Sequence, residues 1–129
     1  MFMRPVAADA LLIEGDKVLL IRRGKEPFLG KWAIPGGFLE ENETLEECCV
    51  REAKEETNLE VRVVKLLGVF SKPSRDPRKT VGAVFICERV SGEIKGGDDA
   101  AEAKWFTLDK LPEMAFDHRE ILKSIKRHL

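Results

Sequence analysis

The sequence predicts an α/β protein in which a mixed β-sheet is covered on both faces by helices. Three observations point there: β-branched apolar stretches recur between loops rich in glycine and proline, one long helical pattern occupies the middle, and an amphipathic helical pattern closes the chain. Each pattern has an apolar side that must be buried against another layer. The 129 residues suit one domain, residues 1–129, with a modest core.

Val6 to Arg23 holds two apolar stretches, Ala7 to Ile13 and Val18 to Ile21, and reads as a hairpin turning at Gly15 and Asp16. Arg22 and Arg23 close it, where a cation meets either solvent or phosphate; Arg23 is a candidate substrate contact. Trp32 to Pro35 reads as a short strand leading into a glycine turn, and Trp32 either stacks on a base or forms a wall of the core. Leu59 to Phe70 suits one long or bent strand. Two prolines make residues 71–78 a loop, Thr80 to Val90 is a further strand, and residues 91–99 are another loop. Ala103 to Thr107 reads as a short strand and Leu108 to Leu111 as a single turn. Phe116 to Leu129 has Ile121, Leu122, Ile125 and Leu129 at helical spacing, with Lys126, Arg127 and His128 at its C-terminal end. His118 and His128 stand alone on this charged helix, and neither is assigned to catalysis.

The central helix has explicit ends. Thr44 and Glu47 have the form of a capping box, and Asn58 tolerates the left-handed conformation found just past a helix C-terminus. At about 100° per residue, Glu52, Glu55 and Glu56 share a face with Leu45, Cys48, Cys49 and Leu59. Like charges that are partly desolvated repel, and the arrangement becomes tolerable when protons or a multivalent cation neutralise them. Hard oxygen donors without a nearby His or Cys favour magnesium, manganese or calcium over zinc. The alternative is a solvated acidic helix, with Glu47, Arg51 and Glu55 forming a ladder of ion pairs.

Composition narrows the partners. The chain is 43% hydrophobic and 35% charged with net charge −1, and no apolar run approaches a membrane span or a signal peptide. Three cysteines without metal-ligand spacing read as reduced and structural, which suits the cytoplasm. Residues 40–60 hold nine acids against Arg51 and Lys54, whereas residues 72–79 hold Lys72, Arg75, Arg78 and Lys79 against Asp76. An acidic patch and a separate basic loop suit a small anionic substrate. They do not make the basic stripe that binds duplex nucleic acid.

From Gly37 the chain reads glycine, five residues, Glu43, seven residues, then Arg51-Glu52-Ala53-Lys54-Glu55-Glu56-Thr57-Asn58-Leu59. This 23-residue stretch resembles the signature of the Nudix hydrolases, which cleave a nucleoside diphosphate linked to another group with the help of divalent metal. One position departs: Asn58 stands where the family usually has glycine, and since asparagine also accepts positive φ the cap should be preserved. The resemblance extends over nearly the whole chain and implies a Nudix-type α/β/α sandwich.

It also implies roles. Mg2+, or Mn2+, would be held by Glu52, Glu55, Glu56 and the backbone carbonyl of Gly36. Arg51, next to Glu52 and four residues before Glu55, is placed to orient a carboxylate rather than to touch substrate. The general base would come from the loop holding Asp98, Asp99 and Glu102, with Asp99 or Glu102 favoured and Glu55 as runner-up. A proline about fifteen residues past the signature helps mark family members that act on ADP-ribose, and Pro73 lies fifteen positions after Asn58. Ala115-Phe116-Asp117-His118 resembles another stretch of that subgroup. Arg75 and Arg78 in the Pro73 loop could meet a diphosphate or terminal ribose, or order a dimer interface. The reading is hydrolysis of ADP-ribose to AMP and ribose 5-phosphate by a homodimer. Alternatives within the class are 8-oxo-dGTP, other nucleoside diphosphate sugars and dinucleotide polyphosphates; outside it stands a module that senses ADP-ribose without cleaving it.

Overall fold

The computed structural model describes residues 3–95 and 100–125. Its strands are β1 (Val6–Glu14), β2 (Lys17–Arg23), β3 (Trp32–Ala33), β4 (Gly36–Phe38), β5 (Glu60–Phe70), β6 (Val81–Ser91) and β7 (Ala100–Thr107); its helices are α1 (Leu45–Thr57) and α2 (His118–Ile125). The strands form one mixed sheet in the order β3-β2-β1-β6-β5, with β4 paired to β1 and β7 to β2. The β1 and β6 strands run parallel, from Val6 opposite Val81 to Leu12 opposite Cys87.

Alternation along the strands sends side chains to two cores. Ala8, Ala10 and Leu12 of β1 join Ala83, Phe85 and Cys87 of β6 beneath Cys48, Cys49 and Ala53 of α1. Leu11 and Val84 face the other way, against Ile121, Leu122 and Ile125 of α2. The expected sheet covered on both faces is therefore observed, for the reason expected: strand period two supplies an apolar residue to each face.

The Gly15-Asp16 turn is present, with Gly15 at φ 64°. The hairpin pairs only at Ile13–Val18 and Glu14–Lys17 before its arms separate, β1 toward β4 and β6, β2 toward β3 and β7. The Asn58 cap is left-handed at φ 69°, its N–H donating to the Lys54 carbonyl, so the substitution for glycine is accommodated. All three cysteines are free and buried, Cys49 and Cys87 with their sulfurs 3.5 Å apart.

Four expectations are corrected. Gly36 and Gly37 form no turn; they lie in β4, opposite Asp9 and Ala8 of β1. The strand at the chain's far end begins at Ala100 rather than Ala103, because its pairing with β2 continues past a bulge between Arg22 and Arg23. The last helix starts at His118, since Phe116 adopts φ 55°, outside helical space. The Pro73 loop contains one tight helical turn, Pro73–Arg75. Lys126, Arg127, His128 and Leu129 lie outside the described residues.

Candidate active site

The register of α1 is set at both ends. The Thr44 hydroxyl accepts from the Glu47 N–H at 3.1 Å while the Glu47 carboxylate accepts from the Thr44 N–H at 2.9 Å. With Asn58 closing the other end, Glu52 and Glu56 lie against Gly37 and Gly36 of β4, one helical turn apart.

Arg51 ties this face together. Its guanidinium donates to Glu43 at 2.9 and 2.6 Å, to Glu52 at 2.8 Å, to both oxygens of Glu55 at 3.3 Å and to the Phe38 carbonyl at 3.1 Å. The Arg51 hydrogen bonds hold the Glu43 carboxyl down at about 2, so the pair stays fully ionised at neutral pH. Arg51 thus orients carboxylates, as its position in the sequence suggested.

Beyond Arg51 the carboxylates run short of positive charge. Glu56 is 7% exposed and accepts the Gly36 N–H at 2.7 Å, yet burial, with Glu52 and Asp9 nearby, pushes its carboxyl up to about 8. Glu52 is raised too, by burial that outweighs the Arg51 contacts. Asp9, on the α2 face of β1, is buried and pushed up to about 7.

The two glycines are explained by this crowding rather than by φ. A Cβ on Gly36 would overlap Asp9 Oδ1 and the Ala8 carbonyl, and one on Gly37 would overlap the Glu52 carboxylate. Each glycine lets a carboxylate lie directly on the β4 backbone.

Asp9, Gly36, Gly37, Glu52, Glu55 and Glu56 line a cleft of about 300 Å³. Arg23, Lys25, Arg78, Phe38 and Phe116 line the same cleft. Arg78 is gripped by Asp76 at 3.1 and 2.9 Å and lies over the Phe38 ring at 4.8 Å. Arg23 donates to the Pro27 carbonyl at 2.7 Å and lies 5.0 Å from the Phe116 ring centroid. The floor includes His118, whose Nδ1 accepts the Ile34 N–H at 3.0 Å and whose Nε2 stands 3.9 Å from Asp9. Burial pulls that imidazole down to about 3, so it is neutral at physiological pH.

Several predicted residues stand elsewhere. Glu102 is exposed on β7, its carboxylate 3.2 Å from Arg22, and is not among the residues lining the cleft. Asp98 and Asp99 fall outside the described residues. Pro73 is exposed and opens the tight turn without entering the cleft lining. Arg75 reaches the cleft but spends its donors internally, on Asp117 and the Thr80 carbonyl. Trp32 packs edge-on against Phe106 with centroids 4.7 Å apart, as part of the α2-side core. The sequence did not single out Asp9, Lys25 or Phe38, and it marked Phe116, Asp117 and His118 only as part of a stretch resembling the ADP-ribose subgroup, with no role assigned to them. Asp9 did leave a signal, as an acid inside an otherwise apolar strand.

The site fits a hard divalent cation in its chemistry. Buried carboxylates without enough countercharge gain most from such an ion, and the described residues offer no competing soft donor in the cleft lining beyond the single imidazole. Among the described residues no three acidic, histidine or cysteine side chains are already gathered into a ligand set.

The α/β/α sandwich with a glutamate-bearing helix over β4 agrees with the class that the signature from Gly37 to Leu59 resembles. Residues 3–125 match the NUDIX domain, and the chain belongs to the Nudix hydrolase family. Among relatives, it is 50% identical over 129 residues to an ADP-ribose pyrophosphatase of Methanocaldococcus jannaschii, a match covering 98% of this chain and 76% of that protein. It is 38% identical over 121 residues to the NAD-capped RNA hydrolase NudC of Pseudomonas aeruginosa, covering 92% of this chain and 40% of that one. The NUDIX domain of Shewanella oneidensis NrtR, solved in complex with ADP ribose, superposes with a TM-score of 0.88 at 27% identity, covering 99% of this chain and 90% of that one.

Proposed function

We propose that this chain hydrolyses the pyrophosphate bond of ADP-ribose to AMP and ribose 5-phosphate, with residues 1–129 acting as one unit. The observation that carries the reading is one cleft lined both by buried carboxylates and by stacked guanidinium and aromatic groups, in a chain half identical to an ADP-ribose pyrophosphatase. A nucleoside diphosphate sugar matches that combination. Its diphosphate suits Arg78 and Lys25, and its base suits the rings beside them.

Glu52 and Glu56 would hold Mg2+ or Mn2+, with Glu55 and the Gly36 carbonyl completing the set. A metal so held supplies neutralisation of the charge that develops on the bridging and leaving oxygens. Arg51 keeps Glu52 and Glu55 in orientation. Glu55, 39% exposed in its side chain and on the cleft wall, takes the proton from the attacking water. Asp99 remains an alternative base, and Glu102 would need to leave Arg22 to serve. Free thiols support a reducing, cytoplasmic setting. The exposed Val64, Leu66 and Val69 of β5 support self-association as a dimer.

The test is incubation with ADP-ribose, other nucleoside diphosphate sugars, 8-oxo-dGTP and NAD-capped RNA, with and without magnesium, for wild type and Glu56→Gln. AMP release from ADP-ribose in preference to the others, lost without metal and in the variant, is expected. Preference for another substrate would overturn the ADP-ribose assignment and leave the hydrolase. Tight ADP-ribose binding without cleavage would favour a sensing module.

A further inference from the structure

The Pro73 loop bears on the substrate reading, yet Pro73 does not reach the cleft and the Arg75 side chain is 4% exposed. The way Arg75 is held shows how the loop acts. Nε and Nη2 donate to the two oxygens of Asp117 at 3.1 and 2.8 Å, and Nη1 donates to the Thr80 carbonyl at 3.2 Å. A buried guanidinium in a two-point grip fixes its partner in direction as well as distance. Gly82 gives it room: a Cβ there would stand 3.2 Å from Nη1 and 3.3 Å from Nη2.

Asp117 sits between two residues of the cleft. Phe116, just before it, holds φ 55°, a conformation L-residues avoid unless their surroundings impose it. Its ring packs under Arg23 at 5.0 Å and lies 5.7 Å from Arg78. His118, just after it, accepts the Ile34 N–H at 3.0 Å. Two residues further along is Gly36, whose own N–H holds Glu56 at 2.7 Å. The Ala115 N–H donates to the Trp32 carbonyl at 2.8 Å, a second tie between the same segments. Polar contacts joined by short backbone segments therefore lead from the loop, through the start of α2, to the strand that seats the glutamates.

We propose that Arg75 is a positioning residue: gripping Asp117, it sets the part of the cleft lining formed by Phe116, His118 and Ile34, and so governs substrate binding through Asp117, while Arg78 of the same loop meets substrate directly. The kinetic consequence rests on the ADP-ribose reading; the structural link does not.

The experiment measures hydrogen exchange at the Ile34 amide, with KM and kcat on ADP-ribose, in Arg75→Lys, Asp117→Asn and the double variant. Lysine cannot make the two-point grip. Each single substitution should speed Ile34 exchange about tenfold relative to β6 amides and raise KM about tenfold with a smaller fall in kcat, and the double should do no more than either single. Unchanged Ile34 exchange in a folded variant would refute the link, whatever the substrate proves to be. Acceleration spread equally over all amides would refute it too, as general destabilisation. Faster Ile34 exchange with KM unchanged would refute the governing of binding. Should Arg75→Lys fail to fold, Gly82→Ala presses on the same guanidinium without removing a charge, and the same comparison decides. If wild type leaves ADP-ribose intact, the proposed function falls while the exchange data still judge the link.

Discussion

Replacing Glu56 by glutamine separates the cost of holding this carboxylate from its use. The group is 7% exposed, and its carboxyl stands at about 8 rather than the ordinary 4.5. Between those two values the folded protein keeps a proton that the unfolded chain has released, so stability falls as pH rises through the window. At about 1.36 kcal/mol per unit, the difference, 8 less 4.5, sets an upper bound of about 5 kcal/mol lost once both states are ionised. Local relaxation should reduce the observed loss to about 3 kcal/mol. Glutamine carries no charge at any pH and retains an oxygen for the Gly36 N–H. In chelator, urea unfolding at about pH 5 and about pH 9 should show the variant gaining about 3 kcal/mol on wild type between the two. Asp9 moves in the same direction, from 3.8 to about 7, and is present in both proteins, so only its coupling to Glu56 enters the comparison. His118 acts lower: held at about 3 against an ordinary 6.5, it costs both proteins stability as pH falls below 6.5. Excess magnesium at the higher pH should recover stability in wild type and much less in the variant. Parallel stability profiles for the two proteins would refute the reasoning.

The two β4 glycines should fail differently. Gly36→Ala meets backbone at Ala8 and Asp9 and should lower unfolding free energy by about 3 kcal/mol. Gly37→Ala meets first the movable Glu52 carboxylate, so it should cost about 1 kcal/mol in stability while lowering kcat/KM about 100-fold. Equal effects of the two on unfolding would contradict the close-approach explanation. For the proton acceptor, Glu55→Gln should reduce kcat about 100-fold, whereas Glu102→Gln, at a residue paired to Arg22 outside the cleft, should change it less than about threefold. The reverse order in steady-state assays would restore Glu102 as the base.

Local grammar made much of this protein legible from its residues. The capping box at Thr44, the left-handed cap at Asn58, the turn at Gly15 and the helical spacing of Ile121, Leu122 and Ile125 are each set within a few residues of chain, and all are found where they were read. The face shared by Glu52, Glu55 and Glu56 follows from helix periodicity alone. Arg51 as an organiser of carboxylates follows from its spacing in the same helix. What the residues did not disclose are relations across the chain. Gly36 and Gly37 looked like a turn because glycine signals permissive φ, whereas here it signals that Asp9 and Glu52 lie against the strand. Arg75 and Arg78 looked alike in the Pro73 loop, yet one is buried against Asp117 and the other stacks on Phe38 at the cleft. His118 looked like a lone histidine on a charged helix, and became part of the cleft floor because α2 begins against Ile34. The elements, the two apolar faces and the acidic ridge are legible in the residues, since they depend on periodicity and caps acting within one segment. Which arginine keeps its charge for the cleft, why the glycines are needed and which acid on β1 joins the glutamates emerge only once the segments pack, because burial and approach distance belong to pairs of segments and are properties of no residue alone.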